Sequence, residues 1–397
     1  MLSTAEALAK VLALAPEMGA ETVPLADAGG RVLLVDAVAR RDQPPFAASA
    51  MDGYAVRAED LALGAELTVI DEAAAGHRAA SSLPTGAAIR IFTGAPVPEG
   101  ADTILIQEDT ERDGDRIHVR AVPPKGEYIR PAAGDFAEGF RLTAPRRLSP
   151  RDLALLAAMN VAEVTVARRP VVALIPTGDE LVLPGEVPGP DQIIASNNYG
   201  LAAMLRAAGV LPRQCPIARD TAQSLRASFA AAEGADIIVS LGGASVGDHD
   251  LVAQVMSDDG LTLDFYKIAM RPGKPLMAGR FGSAMMLGLP GNPVSAMVCG
   301  EIFLRPAIDK ALGLHVGARA RRKAALAHDL PKNGPREHYM RATLNWQNAA
   351  VPEVTVHENQ DSSRLGILAS ANCLVVRAPK AEQLQKGTLV EYIPLDG

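Results

Sequence analysis

Between residues 170 and 315 short apolar runs alternate with helical patterns, and this rhythm constrains the fold more than any other feature of the chain. Strand-like Val171–Ile175 is followed by a helix over 198–208 that ends at Gly209. A strand near 210–217 leads through Asp220 to a helix over 221–232, with Gln223 placed for a capping box and Gly234 beyond its end. Strand 236–240, a glycine-rich loop and a helix from about 250 come next. Strand 262–268, two strands near 276–288 and a long helix from Pro293 complete the series. Such β-α-β order predicts a doubly wound, mostly parallel sheet. Ligands of these sheets bind at the carboxyl ends of the strands, and the loops with unusual chemistry all occupy that position.

The flanking segments read differently. Ser3 to Leu14 patterns as an amphipathic helix capped by Ser3 or Thr4 with Glu6 nearby, and residues 21–42 lead into a turn at Pro44-Pro45-Phe46. From about 50 to 140, short strands such as Leu67–Ile70, Ala88–Phe92 and Thr103–Gln107 are divided by Gly and Pro, which predicts a β-rich unit. A helix with Ser149-Pro150 at its start follows. After a basic, Ala-rich bridge at His315–Lys323, four further strands (His338–Leu344, Glu353–His357, Cys373–Val376, Leu389–Ile393) make a last β-rich unit. At 397 residues several domains are expected in any case.

Charge narrows the function classes. The net charge of −7 and the lack of a basic block speak against a nucleic-acid groove, although Lys267, Arg271 and Lys274 form a local basic patch. Cys215, Cys299 and Cys373 fit neither a disulfide framework nor a zinc site, which points to a reducing compartment. The N-terminus lacks signal-peptide character and no apolar run reaches spanning length, so a cytoplasmic protein without membrane association is expected.

The loops carry complementary groups. Ser240-Leu-Gly-Gly-Ala-Ser-Val-Gly-Asp-His-Asp250 joins a strand to a helix and offers a nest of N–H groups for an oxyanion, with Asp248 and Asp250 at its edge. Thr177-Gly-Asp-Glu180 and Asp220 supply more carboxylates, suited to a hydrated Mg2+. Tyr266–Pro275 brings the cations Lys267, Arg271 and Lys274. Each has an ordinary explanation alone. Asp220 can be only an N-cap, Glu180 a solvated acid, Lys267 a strand-edge charge, and Gly242, Gly243 and Gly247 a tight turn. Four complementary loops at one sheet edge are much stronger evidence than any single one. In Gly288-Leu-Pro-Gly-Asn-Pro293, Asn292 is expected to cap the long helix with Pro293 at its first position. Pro44–Val56, with Asp52-Gly53 at a turn, and Thr93–Pro98 are further candidate binding loops.

Together these stretches resemble the molybdopterin molybdenumtransferase family, to which the C-terminal domain of gephyrin is related. The resemblance runs in order through Pro44–Val56, Thr93–Pro98, Ala101–Glu108, Thr177–Leu181, Gly242–Asp250, Lys267–Pro275, Gly288–Ala296 and Ser363–Val376. It implies an elongated homodimer of four-part chains. These parts are a dimerisation domain (1–49 plus 131–169), a β-rich inserted domain (50–130), an α/β domain like molybdopterin adenylyltransferase (170–316) and a C-terminal β-barrel (317–397). It also implies a reaction in which adenylylated molybdopterin, molybdate and Mg2+ yield molybdenum cofactor and AMP, at a site between one subunit's α/β domain and its partner's insertion. On this resemblance Asp52, Thr93, Glu180, Asp220, Asp250, Lys267, Arg271 and Lys274 serve catalysis, with Glu180, Asp220 and Asp250 as metal ligands. Gly242, Gly243, Ser245, Gly247, Pro275, Pro290, Asn292, Pro293, Arg341 and Ser363 would hold substrate. Implied partners are molybdopterin adenylyltransferase and the molybdoenzymes, or their chaperones, that receive the cofactor. The chain departs from the family pattern at Ala47, where an acid is common, and at Arg271, where Lys is usual. It departs again at Pro176 and at Gly134 of Arg130–Asp135, displaced by one place. Alternative readings are a molybdopterin adenylyltransferase, a tungstate-inserting homologue and a non-catalytic dimeric scaffold.

Overall fold

The computed structural model describes residues 1–243, 251–315, 317–346 and 351–395. The alternating segment builds a six-stranded sheet in the order Leu211–Gln214, Val171–Pro176, Ile237–Leu241, Ala284–Leu289, Met277–Phe281, Leu261–Tyr266. The first four strands are parallel, and Met277–Phe281 runs antiparallel to both of its neighbours. Side chains alternate between its faces: Val172 and Leu174 join one core with Leu201, Leu205 and Val294, while Ala173 and Ile175 join the other with Leu225, Phe229 and Val255. Period-two patterning on buried strands thus becomes two cores, each covered by helices. The chain leaves Val171–Pro176 toward one neighbour and later returns on its other side, which creates a switch point between the loops after Pro176 and Leu241.

Helix ends follow local chemistry. Asn197–Ala207 stops before Gly209, whose φ is 81°. Ala222–Ala230 is capped by Thr221, whose hydroxyl accepts from the Ser224 N–H, so neither Asp220 nor Gln223 takes the capping role considered for it. Asn292 stands at the N-cap position of Pro293–Cys299 but makes no side-chain cap bond; its amide donates to Ser362 Oγ at 3.0 Å instead. The long helix predicted from Pro293 continues through a π turn, Gly300–Leu304, into Arg305–Ala311. Thr4–Leu14 carries the expected capping box between Ser3 and Glu6, and its buried face (Ala7, Leu8, Val11) packs into the α/β core.

Two other sheets flank this unit. In the β-rich segment the order is Thr103–Ile106, Gly53–Val56, Ala87–Ile91, Glu66–Ala73, Arg116–Val119, Thr110–Asp113. A four-stranded sheet joins Ala20–Pro24, Glu163–Ala167, Val32–Leu33 and Arg146–Arg147 over the core of Leu148, Leu156 and Val166. At the C-terminal end Glu337–Asn345, Glu353–Val356, Arg322–Leu326, Leu389–Pro394 and Cys373–Arg377 close into a barrel through the extra pairing of the first and last. Met270–Arg271 adds to that barrel as a parallel edge, Met270 opposite Glu337 and Arg271 opposite His338. The sequence placed this basic stretch on a strand end of the α/β sheet; it bridges the two units.

Candidate functional site

The acids gather at the switch point. Thr177 N–H reaches Leu241 O at 3.0 Å and Gly178 N–H reaches Ala218 O at 2.9 Å, which fixes the loop carrying Asp179 and Glu180 beside Asp220. One nitrogen of Arg219, Nη1, donates to Gly178 O (3.2 Å), Asp179 O (3.0 Å) and Leu181 O (2.8 Å). The Asp220 N–H donates to Asp179 Oδ1 at 3.0 Å. Asp220 is exposed as a residue, yet partial desolvation of its carboxyl, followed by the charges of Asp179 and Glu180, pushes its pKa up. Crowded carboxylates of this kind favour a cation. Among the described residues, however, no group of three or more His, Cys, Asp or Glu side chains could itself hold a metal ion. Asp250, the remaining expected ligand, lies outside the described residues with Ser245, Gly247 and Asp248.

Gly242 and Gly243 adopt φ of 105° and 64°, and a Cβ on Gly242 would stand 2.7 Å from Thr177 O. A Cβ on Gly243 would run into Val252. Glycine is therefore favoured at both positions, at Gly242 by the backbone conformation and the close approach together and at Gly243 chiefly by the close approach.

Two clefts flank the Pro290–Pro293 turn. A small one of about 140 Å³ is lined by Thr177, Glu180, Ser196, Asn197, Gly291 and Pro293, with Asn197 Nδ2 donating to Gly291 O at 2.6 Å. A larger one of about 290 Å³ unites Arg271, Lys274, Pro275, Pro290 and Asn292 with Ser295. Its far wall is the barrel: Arg336, Gln360, Asp361 and Ser362. The cation loop turns back on itself, Lys267 N–H to Leu276 O at 3.0 Å and Ile268 N–H to Lys274 O at 3.0 Å. Lys267 has φ of 72° and sets its ammonium 5.4 Å from the Tyr266 ring centroid. It lines neither cleft.

Asp52 and Thr93 meet in the β-rich unit. The Thr93 N–H and hydroxyl both donate to Asp52 Oδ1, at 2.8 and 2.7 Å, and hold that carboxyl below its ordinary range. Arg90 stacks over Tyr54 and Phe92 beside them, 5.1 and 4.7 Å from the ring centroids. The pair lines neither cleft within one chain.

In the barrel, Arg341 is fully buried rather than on a cleft surface, and its Nη2 donates to Asn359 O at 3.1 Å. Ser362 lines the larger cleft, whereas the Ser363 hydroxyl donates to Asp361 Oδ1 at 2.6 Å. Sequence reading missed Arg219, Asn197, Ser295, Arg336 and Gln360. Arg219 adjoins a flagged acid, which was the available signal; the others carry none, since ordinary polar residues acquire a role only from the neighbours that folding provides.

Comparison with known proteins places these elements in a family. Residues 2–160 match "MoeA N-terminal region (domain I and II)", residues 173–310 match "Probable molybdopterin binding domain", and residues 323–395 match "MoeA C-terminal region (domain IV)". A molybdopterin molybdenumtransferase of Nostoc sp. is 37% identical over 90% of this chain and 84% of its own length. Molybdopterin molybdenumtransferase 2 of Mycobacterium tuberculosis is 37% identical over 93% of this chain and 94% of its own. The solved structure of a molybdopterin biosynthesis MoeA protein from Pyrococcus horikoshii superposes with a TM-score of 0.80 at 30% identity, covering 100% of both chains.

Proposed function

The chain belongs to the molybdopterin molybdenumtransferase (MoeA) family, enzymes of molybdenum cofactor biosynthesis, and on that premise we propose that it inserts molybdate into adenylylated molybdopterin with release of AMP. The observation that carries this reading is the pairing of a carboxylate cluster at the switch point with a cationic cleft across a single proline-glycine turn. Arg271 and Lys274 would neutralise the oxyanion charge of molybdate and phosphate, with Pro275, Pro290 and Asn292 shaping the cleft. Gly242 and Gly243 keep the nest free of side chains so that backbone can approach the substrate. Lys267 would contribute charge from outside the cleft, and Arg341 and Ser363 would act through the barrel wall.

Mg2+ fits the donors present. Glu180 and Asp220 offer hard oxygen ligands, and a cation there would offset the partial desolvation of the Asp220 carboxyl and its repulsion by Asp179 and Glu180. Bound there, the ion would supply charge neutralisation at the pyrophosphate. Arg219 holds the loop that aims Glu180. The Asp52–Thr93 pair would complete the site from the second subunit of a homodimer, which gives the remote insertion a part in the chemistry. The reaction belongs in the cytoplasm, between the enzyme that adenylylates molybdopterin and the molybdoenzymes that receive the product.

Purified protein supplied with adenylylated molybdopterin, molybdate and Mg2+ is expected to release AMP and form molybdenum cofactor. Retention of intact substrate with no AMP would overturn the reading. A parallel arm with tungstate reads the oxyanion preference.

A further inference from the structure

We propose that Arg90 is a positioning residue for Asp52, fixing the turn that presents this carboxylate and holding a positive charge near it. The proposal rests on the part given above to Asp52 and Thr93 in the transfer reaction. Arg90 lies on strand Ala87–Ile91, directly opposite Tyr54 of Gly53–Val56. Cross-strand partners share one face of a sheet, and Phe92 follows two residues on, so two aromatic rings flank the side chain. That stacking orients the guanidinium. Nη1 donates to Gly53 O at 3.1 Å and Nη2 to Gln107 Oε1 at 2.8 Å. The Gln107 N–H in turn donates to Asp52 O at 3.2 Å. Both peptide carbonyls of the Asp52-Gly53 turn are thus tied into one network, while Thr93 secures the carboxylate itself.

The charge of Arg90 is not spent on an ion pair. In the same unit Arg57, Arg116 and Arg120 pair with Glu59, Glu66 and Glu111. Arg90 bonds instead to two neutral oxygens and, among the described residues, to no carboxylate. Glu108 joins the network only through the Gln107 amide, at 3.4 Å. The positive charge is therefore free to act on Asp52. That carboxyl lies below its ordinary range first through the Thr93 N–H and hydroxyl, and the charge of Arg90 adds to them. Lysine at this position would keep the charge but lose the planar stack and the fixed fork, so the two contributions can be separated.

Arg90→Met, Arg90→Lys and Arg112→Met in the full chain test it. Arg112 is exposed on Thr110–Asp113, an edge strand of the same sheet, so this control removes an equal charge away from the turn. In Arg90→Met the Asp52 carboxyl, followed by NMR, should titrate nearer the ordinary aspartate range. Its kcat for AMP release should fall about tenfold or more, with KM for adenylylated molybdopterin changed less than about threefold, because a misplaced group costs turnover rather than binding. Arg90→Lys should restore part of both readings, and Arg112→Met should leave both at wild-type values. A wild-type value of either reading in folded Arg90→Met overturns the proposal. Should that variant not fold, Arg90→Lys decides, since loss of the fork alone must still move both readings, and wild-type values there overturn it. Absence of AMP release from the wild-type protein would strike the functional reading instead, and the Asp52 titration alone would then judge Arg90.

Discussion

Gly242→Ala tests whether the glycine nest is set by steric necessity. The residue holds φ of 105°, and an added Cβ would lie 2.7 Å from Thr177 O and 2.8 Å from Thr177 Oγ1. A side chain forced into so unfavourable a backbone region costs about 1–3 kcal/mol. The contact with Thr177 O adds overpacking of about 1–3 kcal/mol, because that carbonyl belongs to a strand end pinned by the 3.0 Å bond from Thr177 N–H to Leu241 O and cannot retreat freely. The total, about 2–6 kcal/mol, is a large part of the roughly 5–15 kcal/mol that holds a typical domain folded. Gly234→Ala is the control, since its φ of 74° is also positive but nothing stands within 4 Å of its new Cβ. That change should cost only the backbone part, about 1–2 kcal/mol. Amide exchange across Ile237–Leu241 reads both variants. Gly242→Ala should accelerate exchange there at least about fivefold more than Gly234→Ala, as a difference above 1 kcal/mol requires. Equal protection in the two variants would refute the steric argument.

Removing the three carbonyl bonds with Arg219→Ala should loosen the Gly178–Leu181 loop and raise the Mg2+ concentration needed for half-maximal AMP release by about tenfold. Arg219→Lys, whose ammonium can also donate to several carbonyls, should recover part of this; an unchanged Mg2+ dependence in the Ala variant would count against a positioning role. Thr93→Val keeps the backbone donor but deletes the hydroxyl bond, so carboxyl NMR should find Asp52 titrating closer to the ordinary aspartate range. The sign follows from linkage: a depressed folded-state pKa stabilises above the unfolded value, and that stability fades as pH falls through the folded one, earlier in the variant. An unmoved Asp52 midpoint would remove the hydroxyl from the account. Burial raises Cys299 and Cys373 to about 12, so native protein at pH 8 should resist maleimide at both and react once unfolded. Rapid native labelling at either thiol would contradict their burial.

The α/β unit was legible in the chain because its strands are buried on both faces and its helices punctuated by glycine. Gly209 closes its helix with positive φ, as read from sequence, and Gly234, also at positive φ, ends the turn that follows Ala222–Ala230. Capping was less legible, since chemically equivalent candidates sit side by side: Thr221 took the place considered for Asp220, and Asn292 turned toward Ser362. Barrel strands could be read one at a time from alternation, but closure depends on pairing between Glu337–Asn345 and Cys373–Arg377, far apart in sequence.

The sequence by itself determined which residues carry the chemistry, because acids, cations and glycines are clustered locally in loops that follow predictable strands. Only the tertiary structure decided how those clusters group. Parallel pairing of Val171–Pro176 with Leu211–Gln214 brings Asp220 beside Asp179 and Glu180, and its carboxyl pKa is raised by partial desolvation first and then by that crowding. Addition of Met270–Arg271 to the barrel moves Arg271 from a sheet edge to the wall between two cavities. Charge and conformational preference are local properties, whereas desolvation and electrostatic coupling depend on what else folding packs nearby. For that reason the burial of Arg341 and Arg377 in the barrel has no signature in the sequence.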